Sequence, residues 1–108
     1  VNADQYQQLA MRTLAAGLDP QQRLTNAALG LSGEAGEFAD NVKKHLFHGH
    51  PLQHDELRKE LGDVLWYVAL ACDSLGLSLA DVMQTNIDKL RRRYPAGFSS
   101  DQSLHREE

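Results

Sequence analysis

The sequence predicts an all-α domain, a four-helix bundle built around a central antiparallel helical hairpin. Three observations carry that expectation. Apolar residues recur at steps of three and four along most of the chain, no stretch alternates with the two-residue period of a strand, and one local design occurs twice, offset by 26 residues. The two copies are Leu31-x-x-Glu34-Ala35-Gly36-Glu37-Phe38-x-x-x-Val42 and Leu57-x-x-Glu60-Leu61-Gly62-Asp63-Val64-x-x-x-Val68. Between them lies His48-Gly49-His50-Pro51, a helix-breaking stretch where the chain would fold back. Glu34 with Asp63, and Glu37 with Glu60, are each symmetric about position 48.5, so a fold at that point sets each pair level.

The first helix is expected over Asp4 to Ala16, from Tyr6, Leu9, Ala10 and Leu14, with Gly17 as its stop. Asp19-Pro20 then reads as an N-cap followed by proline at the first helical position, with Gln22 placed as the reciprocal capping partner. A second helix follows to about Leu46 on the stripe Leu24, Ala28, Leu31, Ala35, Phe38, Val42, Leu46. Gly30, Gly33 and Gly36 lie inside it, each weakening a helix by about 1 kcal/mol relative to alanine, which suggests close approach by a backbone, a ligand or another subunit. The third helix is expected from about His54 to Leu75 on Leu57, Leu61, Val64, Val68, Ala71 or Cys72, and Leu75. Leu65, Trp66, Ala69 and Leu70 widen its apolar surface beyond one stripe, as burial against a second subunit requires. Ser78-x-x-Asp81 opens a fourth helix that carries Leu79, Val82, Met83, Ile87 and Leu90 to Arg93, where Pro95 and Gly97 end it. The polar tail from Phe98 to Glu108 lacks periodicity and is expected to be irregular or draped on another subunit.

Residues 1–108 thus read as one small domain whose modest core favours oligomerisation. A net charge of −4 argues against a broad electrostatic grip on nucleic acid or an anionic membrane. The apolar run Val64–Cys72 is nine residues, far short of the roughly 20 that span a bilayer. One cysteine, Cys72, excludes an intramolecular disulfide, and no secretory layout opens the chain, so a soluble protein of the cytoplasm is expected.

Chemistry concentrates in the repeated acids. At about 100° per residue, Glu34 lies about 80° from the apolar stripe of its helix and Glu37 a further 60° round; Glu60 and Asp63 repeat those offsets in the same sense. Two antiparallel helices packed by their stripes are related by a local two-fold axis, so all four carboxylates emerge on one face. Like charges gathered in that way repel, and burial raises the penalty. Acidic pairs of this spacing also serve simply to solvate a helix, but the duplication, level and direction favour a divalent cation. Oxygen ligands without cysteine suit Mg²⁺ or Mn²⁺, and Mg²⁺ is commonly completed by substrate phosphates. A carboxylate-bridged redox-metal bundle is disfavoured, because no histidine follows Glu34, Glu37 or Glu60 at the third position. His45, His48, His50 and His54 cluster at the turn, where a solvated loop is the simpler interpretation than adventitious Zn²⁺ or Ni²⁺ binding. On the fourth helix Asn86, Lys89 and Arg93 share one face; they either hold phosphate oxygens or complement the helix dipole.

Three motifs occur in order: Gly30-Leu31-x-Gly33-Glu34-Ala35-Gly36-Glu37, Glu60-Leu61-Gly62-Asp63-Val64-Leu65-Trp66-Tyr67 and Asn86-x-x-Lys89-x-x-x-Arg93-Tyr94-Pro95. With them, the stretch from about Asn26 to Phe98 resembles the MazG-like all-α nucleoside triphosphate pyrophosphohydrolases. Glu34, Glu37, Glu60 and Asp63 match the last four acids of that family's signature, and Gly33 stands where its first acid would be. The resemblance implies assembly as a dimer or tetramer and Mg²⁺-dependent hydrolysis between the α and β phosphates of a nucleotide, a house-cleaning type of activity. The physical reading is compatible with it: Glu34 or Glu37 would orient and deprotonate the attacking water, and Lys89 and Arg93 would take up charge on the leaving pyrophosphate. A metal-dependent nucleotide-binding regulatory module without turnover is the alternative. For the base, Trp66 is a stacking candidate or a core residue, and Tyr6, Gln7 and Asn26 are further pocket candidates.

Overall fold

The computed structural model describes residues 1–98 and 100–105, apart from the Gln102 side chain. These form α1 (Ala3–Met11), α2 (Pro20–His48), α3 (His54–Ser74), α4 (Leu79–Arg93) and the short α5 (Ser100–Leu104), with no strand among the described residues. The all-α expectation holds, with four principal helices. The tail departs from expectation in one respect, since α5 occupies a stretch expected to be irregular. Ser99 and residues 106–108, to which the same expectation applied, lie outside the described residues.

Helix boundaries follow local chemistry. Asn2 caps α1 and Asp19 caps α2, each in a reciprocal capping box with the glutamine three residues on. Pro20 occupies the first turn of α2, and Gly49, at φ 73°, ends that helix in the left-handed conformation open to glycine. The Ser78 hydroxyl accepts from the Asp81 N–H at 3.0 Å to open α4. Helix α1 stops at Met11, five residues before the expected Ala16. Its end is set by a tertiary contact: the Ala10 carbonyl accepts from the Thr13 hydroxyl at 2.7 Å and from the Trp66 indole N–H at 3.2 Å. Those donors stand in for the backbone N–H that would have continued the helix.

Helices α2 and α3 pack along much of their length, α1 lies against α3 and α4, and the chain bends by 101° between α3 and α4. Ala27, Ala69 and Leu70 are fully buried, with Ala10, Cys72 and Leu79 close behind. On α2 the inward face is rolled from the expected stripe. Ala27, Gly30, Leu31, Glu34, Phe38, Asn41 and Val42 are at least partly covered, while Leu24, Ala28, Ala35 and Leu46 are exposed. The reason is steric, since the Tyr67 ring occupies the space a Cβ on Gly30 would fill, and this close approach turns Gly30 toward α3. Gly33 and Gly36 have nothing within 4 Å of an added Cβ, so close approach within the chain explains Gly30 alone of the three. On α3, Leu61 and Leu65 are likewise exposed, as is Leu75 just beyond its end.

Gln7, considered above as a pocket residue, is a buried strap. Its amide donates to the Leu77 carbonyl at 3.0 Å and accepts from the Leu79 N–H at 2.7 Å, holding the α3–α4 turn against α1. Gln7→Ala strands both backbone groups, and we expect a loss of about 1–3 kcal/mol in chemical denaturation, the usual cost of orphaned buried hydrogen-bonding groups. No single helix among the described residues is long and apolar enough to cross a membrane.

Candidate metal and phosphate site

Glu34 and Glu37 sit three apart on α2, so they share a face with Gly33 and Gly36 between and beside them, and Glu60 approaches from α3. Each of the three offers a carboxylate oxygen, and those oxygens all lie within 4.8 Å of one another. Asp63 stands beside this group, and its charge acts on Glu34, on Glu60 and on the Tyr6 phenol. All four acids singled out in the sequence are therefore neighbours, with Glu34, Glu37 and Glu60 the tightest set.

Their electrostatics are those of crowded carboxylates. Burial, then the charges of Glu37, Asp63 and Glu60, hold the Glu34 carboxyl above its ordinary range. Burial and the charge and hydrogen bond of Glu37 do the same to Glu60. One oxygen of each, Oε2, is buried without a hydrogen-bond donor. A buried carboxylate oxygen facing other carboxylates and no donor is a costly arrangement that a divalent ion would relieve. The donor set is oxygen only, which fits Mg²⁺ or Mn²⁺. Glu34, Glu37, Glu60 and Asp63 are the residues that would hold it.

The raised carboxyls make a pH prediction with a definite sign. The folded chain binds their protons more tightly than the unfolded chain. The stabilisation from that difference is complete below the unfolded carboxyl pKa and is lost as pH rises through the raised values. A cation must displace the same protons. Added Mg²⁺ should therefore raise the melting temperature by an increment that grows with pH above the ordinary carboxylate range, and calorimetry in buffers of different ionisation enthalpy should record proton release on binding.

Two depressions adjoin the acids. One is lined by Gly33, Gly36, Glu37, Asp40, Asn41, Lys44 and Glu60. The other, about 350 Å³, lies toward the α2–α3 turn and is lined in part by Asn41, Lys44, His50, Gln53 and Glu60. Asn41 and Lys44, common to both, were not singled out in the sequence, although Glu37, Asn41 and Lys44 follow the four-then-three spacing of one helix face. Asn86, Lys89 and Arg93 lie on α4 and line neither depression. Tyr6 adjoins Asp63, and burial followed by that charge keeps its phenol protonated to higher pH than usual. The Trp66 indole N–H is engaged by Thr13 Oγ1 at 2.8 Å as well as by Ala10, and its ring meets Tyr67 edge-on. Asn26 lines a separate depression with Thr25 and Leu29.

The described residues thus form an all-α domain in which two long helices share a carboxylate cluster. The sequence pattern of the MazG nucleotide pyrophosphohydrolase domain matches residues 22–98, and the chain belongs to that family. It is 38% identical over 105 residues to the Gene 37 protein of Mycobacterium phage L5, covering 90% of this chain and 92% of that one. It is 43% identical over 73 residues to the uncharacterized protein YvdC of Bacillus subtilis (strain 168), covering 59% of this chain and 69% of that protein. No solved structure matches it significantly.

Proposed function

We propose that this protein hydrolyses a nucleoside or deoxynucleoside triphosphate between the α and β phosphates, yielding the monophosphate and pyrophosphate, in a house-cleaning role. The observation that carries the reading is the trio Glu34, Glu37 and Glu60, in which Glu34 and Glu60 each bury an oxygen that lacks a donor. Family membership supplies the nucleotide as the substrate class. Bound Mg²⁺ supplies charge neutralisation of phosphate oxygens and a lowered pKa for water. Glu60 and Asp63 are metal-holding residues in this reading. Glu34 or Glu37 also accepts a proton from the attacking water. Of the base candidates, Tyr6 is the best supported, through its position beside Asp63. Trp66 offers only its ring, and Asn26 would require substrate to extend well beyond the acids.

The reading includes an antiparallel α2–α3 pair, supported by Gly30 against Tyr67 and by Glu34 and Glu37 against Glu60. It also includes a homodimer or homotetramer. Exposed Leu24, Leu29, Leu61, Leu65, Met83, Ile87 and Leu90 support assembly, since a second copy would cover them. Assembly is also the route by which Asn86, Lys89 and Arg93 of one copy would reach the phosphates at the acids of another. No nucleic-acid or membrane partner enters this reading, and a cytoplasmic setting follows from it.

The test is a panel of nucleoside triphosphates with Mg²⁺, assayed for phosphate with and without added inorganic pyrophosphatase. Phosphate that appears only with the pyrophosphatase supports the reading. Tight nucleotide binding without turnover would replace it with a regulatory module, and an oxygen-sensitive colour on adding Fe²⁺ would replace it with a redox-metal bundle.

A further inference from the structure

Among the described residues, Lys44 is the one lysine or arginine that lines either depression beside the acids. Its Cα is seven residues beyond Glu37, but helical side chains lean toward the N-terminus, and its Nζ lies 3.0 Å from Asp40 Oδ2. The ammonium is therefore placed about one helical turn, roughly 5 Å, from the level of Glu37. A phosphate chain held at the carboxylates and extending toward the turn would pass that level. The surroundings are fixed by backbone. Gly49 and His50 both donate their N–H to the Lys44 carbonyl, and the His45 ring nitrogen Nδ1 donates to the His50 carbonyl at 2.9 Å, so His50 is held at the same depression. Asn41 and Gln53 add amide donors, and of the two glutamates that line this depression, Glu56 and Glu60, Glu56 is paired with Lys59 at 3.3 Å. Helix α3 also begins here, and its N-cap Gln53 makes no side-chain capping bond.

We propose that Lys44, flanked by Asn41, His50 and Gln53, binds the terminal phosphates of the substrate and the pyrophosphate released from it. This rests on the nucleotide-hydrolase reading and deepens it: the phosphate chain runs from the acids toward the α2–α3 turn. Asp40 holds the ammonium in place until a phosphate displaces it, and the Lys44 bond in turn keeps the Asp40 carboxyl below its ordinary range.

The experiment compares the full chain with Lys44→Met and Lys44→Arg by calorimetry, using Mg²⁺ alone and then inorganic pyrophosphate with Mg²⁺, beside nucleotide turnover. Lys44 is half-exposed, so neither variant should disturb folding. Lys44→Met should keep Mg²⁺ affinity within about twofold, weaken pyrophosphate binding and raise the nucleotide KM by about tenfold, and Lys44→Arg should recover most of both. Unchanged pyrophosphate affinity in Lys44→Met, with wild-type turnover intact, overturns the proposal and leaves the hydrolase reading standing. A wild-type protein that binds neither Mg²⁺ nor pyrophosphate and turns over no nucleotide overturns both.

Discussion

Glu60→Gln should abolish turnover, by on the order of 10²–10³-fold or more, while making the metal-free protein more stable at neutral pH. Both effects have one cause. Glu60 is pushed toward its protonated form by burial and by Glu37, and its Oε2 has no donor. An amide of the same shape removes one charge from the cluster and offers two N–H donors to the carboxylates that remain. The same substitution takes away a ligand, so the rise in melting temperature on adding Mg²⁺ should shrink. Paired thermal scans with and without Mg²⁺, beside an activity assay, check all three effects. A merely structural Glu60 would lose stability along with activity.

The second large effect contrasts two glycines on one helix. Gly30→Ala places a methyl group inside the Tyr67 ring, which is itself packed edge-on against Trp66. Overpacking of that kind costs about 1–3 kcal/mol. The gain in helix propensity offsets up to about 1 kcal/mol of it. Gly36→Ala meets nothing within 4 Å, so it should keep the whole propensity gain and stabilise the chain. Opposite signs in urea denaturation are therefore expected. The Gly30→Ala penalty should largely vanish in a Tyr67→Leu background, because the ring is its source. Gly36 borders the same depression as Glu37, so Gly36→Ala also reports on that space: lower turnover in a more stable protein would mean that ligand or a second subunit needs it.

Much of this architecture was legible in the residues. The Asp19 cap, Pro20, the Gly49 stop and the Ser78 cap are local signals, and each acts where its chemistry requires. The acids were legible for a different reason. A spacing repeated in two helices survives errors in their exact roll, so Glu34, Glu37 and Glu60 meet even though α2 presents Ala27 and Gly30, rather than Leu24 and Ala28, to α3. What escaped depends on contacts between distant positions. The early end of α1 is set by Trp66, 56 residues from Ala10, and no periodicity in α1 records that bond. The strap role of Gln7 is hidden likewise, because its partners Leu77 and Leu79 are backbone groups. The roll of α2 follows from a single tyrosine reaching a single glycine. Lys44 was overlooked for a simpler reason: it reads as the basic end of a helix, and only the shape of the turn shows that it borders the acids.

The central claim is that Glu34, Glu37, Glu60 and Asp63 form one cation site at which a nucleotide is cut between its α and β phosphates. Phosphorus NMR of a nucleoside triphosphate turned over with Mg²⁺ tests it most directly, run across the nucleotide panel beside Glu60→Gln. The account predicts monophosphate and pyrophosphate in equal amounts from at least one nucleotide, and loss of both signals in the variant. Release of orthophosphate and a nucleoside diphosphate, or full turnover by Glu60→Gln, would contradict it.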